Sequence, residues 1–163
     1  MPKLYFKYGA MGSSKTAQAL MVKFNYEEKG YRVGLLKPSL DNRDGLTVVK
    51  SRIGLKDTGI LMDKSVDLYQ WFRQNRYDVL IIDEAQFLSA PQIDQLKDIA
   101  IKFVPVLCFG LKTDFQTHLF EGSKRLFEIA ASAELHSEHP LGKAVVACYQ
   151  RHRGKSPPGP DAF

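Results

Sequence analysis

Gly9-Ala10-Met11-Gly12-Ser13-Ser14-Lys15-Thr16 joins a run of small residues to a lysine and a hydroxyl, the combination that cradles phosphate oxygens. In such a loop backbone N–H groups converge at a helix N-terminus, a lysine neutralises the β and γ phosphates, and a hydroxyl ligates Mg²⁺. Lys15 and Thr16 stand where those two side chains are needed. The glycine that usually precedes the lysine is Ser14 here. Its Cβ is expected to crowd the phosphates and weaken binding, with Gly12 restoring part of the backbone freedom. The same letters also describe a plain strand-to-helix turn, a reading that the periodic segments on either side disfavour.

Asp83-Glu84 supplies the second set. The pair follows the apolar run Val79-Leu80-Ile81-Ile82, where a nucleotide-binding sheet presents an acid to the metal. Asp83 is expected to hold Mg²⁺ through water. Glu84, one residue on and pointing elsewhere, is expected to act as base toward an attacking hydroxyl or water. Two acids that merely mark a strand end are the alternative, and the glycine loop weakens it. The string Asp83-Glu84-Ala85-Gln86 also occurs in helicase-like ATPases, but those need a second ATPase lobe that 163 residues cannot hold.

Such groups need strands and helices to hold them. Leu4 to Tyr8 reads as a strand ending at Gly9, and Thr16 to Lys29 as a helix stopped by Gly30. Arg32 to Leu36 and Leu46 to Ile53 read as strands, with Asp41 to Gly45 a polar loop between them. Asp63 to Asn75 predicts an amphipathic helix, and the continuous apolar run Val79 to Ile82 a strand buried on both faces. Pro91 to Ile101 predicts a helix, Phe103 to Phe109 a strand despite Pro105, and Glu121 to Ala133 a last helix. Strand and helix alternate, which predicts an α/β fold: a mainly parallel sheet flanked by helices, with ligand beyond the strand C-termini.

The length suits one domain able to bury ~70% of its unfolded surface. With 44% hydrophobic and 25% charged residues, the composition is that of a soluble globular protein. The net charge of +5 comes from lysines and arginines interspersed with acids, so no nucleic-acid partner is indicated. Cys108 and Cys148 are too few for a secreted disulfide framework, and a reduced, cytoplasmic setting is expected. No targeting segment or membrane span is visible.

Taken together, the motifs resemble the zinc-containing, cytosolic type of thymidine kinase, from about Lys3 to Ala130. The resemblance rests on Leu4-Tyr5-Phe6 leading into the glycine loop, Asn25-Tyr26-Glu27-Glu28, and Lys37-Pro38 with Asp41, Arg43, Asp44 and Gly45. It continues through Ser51-Arg52-Ile53-Gly54, Asp83-Glu84-Ala85-Gln86-Phe87, Gly110-Leu111, Thr113-Asp114-Phe115 and Leu119-Phe120-Glu121-Gly122-Ser123. It implies a P-loop kinase core that transfers the ATP γ-phosphoryl group to the 5′-hydroxyl of thymidine or deoxyuridine, with Mg²⁺, in a homotetramer. Glu84 matches the family's catalytic carboxylate, Arg43 an arginine near phosphates and sugar, and Asp41 its acidic neighbour. Phe87, Leu111, Phe115 and Phe120 match positions lining the thymine pocket; without the match, plain core packing would be the better account of all four.

The chain departs from the family pattern after the core. Residues 1–133 read as the kinase core, 134–155 as a shortened appendage and 156–163, with Ser156-Pro157-Pro158-Gly159-Pro160, as a disordered tail. The family's two Cys pairs and the lasso loop between them, which closes over the base, have no counterpart. Instead eight residues separate the pair His136 and His139 from the pair Cys148 and His152. These four could form a tetrahedral Zn²⁺ site, although scattered surface histidines beside one buried cysteine is the weightier reading. The missing lasso is expected to lower nucleoside affinity and rate. An ATP-binding relative without turnover is the competing expectation.

Overall fold

The computed structural model describes residues 3–9, 14–40, 45–114 and 116–134. The chain divides into two compact units, Met1–Ser123 and Lys124–Phe163. The first holds a six-stranded sheet made of β1 (Leu4–Gly9), β2 (Val33–Pro38), β3 (Gly45–Lys50), β4 (Lys56–Met62), β5 (Val79–Ile82) and β6 (Val106–Leu111). Its order is β1-β6-β5-β2-β4-β3, parallel throughout except for the β3–β4 pair. This is the mainly parallel sheet expected from the alternating pattern.

The centre of the sheet explains the apolar runs. Leu36, Ile82, Cys108 and Phe6 align across four neighbouring strands and are all buried. Burial pushes the Cys108 thiol well above its ordinary value, so it behaves as a core residue. The other face carries Leu35, Ile81 and Phe109, packed with Ala19 and Leu20 of α1 (Lys15–Glu28). Helices α2 (Leu68–Asn75) and α3 (Ala90–Lys102) pack on each other, and α3 contacts β1 and β6. A strand covered on both sides has no polar face to offer, which is why β5 reads as Val-Leu-Ile-Ile.

Three expectations are corrected. The strand foreseen over Leu46 to Ile53 ends at Lys50, turns through Ser51 to Leu55, and returns as β4, an element absent from the sequence reading. The buried Ser51 closes that turn, its N–H donating to the Leu55 carbonyl at 2.8 Å and its hydroxyl accepting from Leu55 N–H at 3.1 Å. Gly54 supplies the φ of +92° that the turn requires.

The helix foreseen from Asp63 starts five residues later, at Leu68. Buried Gln92 donates from Nε2 to the carbonyls of Asp63 and Val66, holding that stretch as a turn, and Asp67 caps the helix by accepting from Gln70 N–H. The strand foreseen from Phe103 starts at Val106. Phe103 still donates to Ile99 as the C-cap of α3, and Pro105 has no N–H for the ladder. Finally, α4 (Glu121–Glu134) begins within the first unit.

Candidate functional site

The C-terminal ends of β1, β5 and β6 meet where a doubly wound sheet binds its ligand, because the chain leaving β1 crosses over to β2 on the far side of β5. A cavity of about 340 Å³ opens there. It is lined by Ser14 to Ala17 of the α1 start, Asp83, Glu84 and Gln86 after β5, Gly110 and Leu111 of β6, and Lys50 to Ile53 of the β3–β4 turn. Of the residues singled out from sequence, the fold brings Ser14, Lys15, Thr16, Asp83, Glu84 and Leu111 together on it.

Thr16 and Asp83 converge most closely. The Thr16 hydroxyl lies 3.2 Å from both carboxylate oxygens of Asp83 and donates to them. Asp83 is only 3% exposed. Burial, with Glu84 adding to it, raises its carboxyl above the usual carboxylate range, while the Thr16 hydroxyl and Lys37 pull it back. A buried acid facing a hydroxyl is a hard oxygen donor set, which suits Mg²⁺ with part of its water shell retained. Lys15 opens α1, and its partial burial lowers its ammonium below the ordinary lysine value, with Asp83 opposing the shift.

The α1 N-terminus has no side-chain cap and no acid in its first turn. A helix start of that kind suits an anion, which its first-turn amides can hold. Ser14 sits at φ −35° and ψ 45°, outside the left-handed region, so no positive φ demands glycine there. The residues lining the cavity thus fit a Mg²⁺-bound polyphosphate.

Glu84 stands in the left-handed region, φ 54°, immediately before the short turn Ala85–Phe87. A non-glycine residue held there costs about 1 kcal/mol, sustained by the buried Ala85 and Gln86 that follow. The turn separates the directions of the two acids: Asp83 goes inward to Thr16, while the Glu84 carboxylate reaches Lys37 of β2 at 3.6 Å. Gln86, 3% exposed, accepts from Leu111 N–H at 3.1 Å and so ties the ends of β5 and β6 together. A Cβ on Gly110 would sit 2.4 Å from that Gln86 oxygen, so glycine is required for the approach.

Phe87 and Phe120 pack edge to face with ring centres 5.3 Å apart, off the cavity wall. Gly9 ends β1. Ala10, Met11, Gly12, Ser13, Asp41, Arg43 and Phe115 lie outside the described residues, as do His136, His139, Cys148 and His152. Among the described residues no cluster of three or more His, Cys, Asp or Glu could hold a metal. No helix among them is long and apolar enough to cross a membrane.

Sequence reasoning gave no role to Lys37, Gln86, Lys50, Ser51, Arg52 or Ile53. Ser51, Arg52 and Ile53 lay in the string Ser51-Arg52-Ile53-Gly54 and Gln86 in Asp83-Glu84-Ala85-Gln86-Phe87, which only the sheet order brings to one cavity; Lys37 of Lys37-Pro38 meets Glu84, and Lys50 carried no motif signal.

The sequence matches the thymidine kinase family over residues 2–151, which runs past Ala130 and takes in Cys148. A thymidine kinase of Lactobacillus acidophilus is 41% identical over 145 residues, covering 82% of this chain and 73% of that protein. One of Xanthomonas campestris is 43% identical over 140 residues, covering 82% and 67%. One of Streptococcus pyogenes is 43% identical over 133 residues, covering 80% and 70%. Among solved structures, the ATPase DotB of Legionella pneumophila aligns with 92% of this chain and 38% of its own, at 13% identity and a TM-score of 0.42. A match over nearly the whole chain, with identities above 40%, does not leave descent open: this chain belongs to the thymidine kinase family.

Proposed function

We propose that the cavity transfers the γ-phosphoryl group of ATP to the 5′-hydroxyl of thymidine or deoxyuridine. The observation that carries this is the divergence of Asp83 and Glu84. One acid is buried against Thr16 at the uncapped start of α1, and the other is turned out beside Lys37, where a nucleoside hydroxyl can reach it.

The nucleoside 5′-oxygen forms a bond to the γ-phosphorus as the bond to the β,γ-bridging oxygen breaks, and the displaced electron pair leaves with ADP. Glu84 accepts the hydroxyl proton as that bond forms. Lys15 and the first-turn amides of α1 hold the phosphates in line. Thr16 and Asp83 would hold Mg²⁺, which supplies charge neutralisation for the phosphates. Lys37 gives the Glu84 carboxylate a counter-charge and also acts on Asp83. Gly9 to Ser13, with Arg43, would complete the phosphate site, and Asp41, Phe87, Leu111, Phe115 and Phe120 would take the sugar and base.

A steady-state assay with MgATP and thymidine tests the reaction. Thymidine-dependent ADP formation is expected, and ATP hydrolysis indifferent to thymidine would reject it. Saturating thymidine with MgATP should also raise the melting temperature, because a ligand that binds only the folded state stabilises it. The tetramer is tested by light scattering, and a cytoplasmic site of action by fractionation of cells. For His136, His139, Cys148 and His152, about one equivalent of zinc in the purified protein supports a site, and under about a tenth rejects it.

A further inference from the structure

The β3–β4 hairpin places two cations on the cavity for which the chemistry above has no use. Among the described residues, the wall built from α1 and β5 carries Lys15 against Asp83 and Glu84, one negative charge in excess. Lys37 beside Glu84 brings that wall only to neutrality. Lys50 and Arg52, from the hairpin, add two positive charges to the lining. No carboxylate among the described residues pairs with either.

The hairpin is also held in place. Ser51 is 5% exposed and bonds to Leu55 through both its backbone and its hydroxyl, which fixes the residues on either side of Arg52. Beyond the turn, Asp57 of β4 meets the Lys23 ammonium of α1 at 2.6 Å, and Lys23 is only 7% exposed. The helix that presents Lys15 and Thr16 is therefore tied to the strand that follows the Arg52 turn. A preorganised cation is worth more at a reacting centre than a mobile one, because no reorganisation is needed when charge develops.

We propose that Arg52 is a phosphate clamp, a catalytic residue that contacts the terminal phosphate of ATP from the hairpin side and neutralises it during transfer. This rests on the phosphoryl-transfer reading given above. The guanidinium suits the role because its planar fork can engage two phosphate oxygens at once, whereas a lysine offers a point charge.

The test compares wild type, Arg52→Ala and Arg52→Lys in two measurements: steady-state kinetics, and direct titration with the β,γ-imido analogue of ATP and with AMP, both with Mg²⁺. For Arg52→Ala, kcat/KM for ATP should fall ~100-fold with the thymidine KM unchanged, and Arg52→Lys should recover part of the loss. The imido analogue should bind Arg52→Ala more weakly while AMP binds as before. A fall of less than ~10-fold in kcat/KM, or equal weakening of AMP and the analogue, overturns the clamp. So does an equal loss in both variants accompanied by a lowered melting temperature. A wild type without thymidine-dependent turnover would reject the kinase reading instead, and the titrations would still decide the clamp.

Discussion

The two walls of the cavity are made differently. The wall carrying Asp83 is the end of β5, a strand with neighbours on both sides and no exposed residue. The wall carrying Arg52 is the turn of an edge hairpin, where Leu46, Val48 and Ile53 are 75%, 63% and 69% exposed. The central wall can hold a desolvated acid and a strained glutamate because the surrounding core sustains both. The edge wall cannot bury charge, so it offers exposed cations. A kinase needs both kinds of surface: a dry, fixed site for the metal, and an accessible cationic one that meets the incoming phosphates.

Breaking the central wall gives the largest effects. Glu84→Gln should lower kcat by ~10²- to 10⁴-fold with little change in the ATP KM, since it removes proton acceptance alone. Phosphate transfer that survives the substitution would contradict the role given to Glu84. Asp83→Asn should abolish Mg²⁺-dependent turnover yet raise the stability of the ligand-free protein by about 1 kcal/mol, because the buried carboxylate is costly to desolvate. Thermal melts without nucleotide read that gain directly, and a lowered melting temperature would show that the Thr16 bond outweighs the burial.

Gly110→Ala addresses the join between β5 and β6. Its Cβ would meet the Gln86 side-chain oxygen at 2.4 Å and backbone nitrogens of Gln86 and Ala85 at 3.2 and 3.3 Å. Overpacking of this kind costs about 1–3 kcal/mol. Denaturant titration should show the loss.

At the edge wall the effects are smaller. Lys23→Met should cost about 1 kcal/mol, since its partners Asp57 and Glu27 are partly exposed and recover water. It should raise the ATP KM more than it changes kcat, because it loosens the hairpin and not the acids. The pH dependence has a definite sign. Burial lowers the Lys23 value, the hydrogen bonds and charges of Asp57 and Glu27 outweigh it, and the net shift is upward. The stabilisation is therefore complete below the ordinary lysine value of 10.5 and is lost as pH rises through the higher folded-state value. On the alkaline side, wild type and Lys23→Met should converge in stability only as the Lys23 ammonium loses its proton. The smallest effect is at Ser14: with no positive φ there, Ser14→Gly should tighten ATP binding by only ~2–3-fold.

The same contrast explains what could be foreseen. β5 was legible because a run of four apolar residues ending in acids has few other uses, and α3 because Pro91 stands in its first turn, where a helix tolerates proline. β4 was missed because Lys56-Asp57-Thr58-Gly59 has no apolar run. Its glycine serves a close approach, with a Cβ there falling 2.7 Å from Val49 Cγ2. The start of α2 was misplaced because the contact that prevents helix at Asp63 comes from Gln92, distant in sequence. Periodicity reports the local chain, and neither contact is local.

By itself the sequence determined the alternation of strands and helices, the loop leading to Lys15 and Thr16, and the acid pair, because propensity, burial and motif spacing all act over a few residues. Tertiary structure alone decided that Thr16 meets Asp83, that Glu84 turns away to Lys37, and that Arg52 faces the same cavity from an edge hairpin. Those relations depend on strand order, which is set by the packing of the whole sheet, and no stretch of the chain encodes it alone.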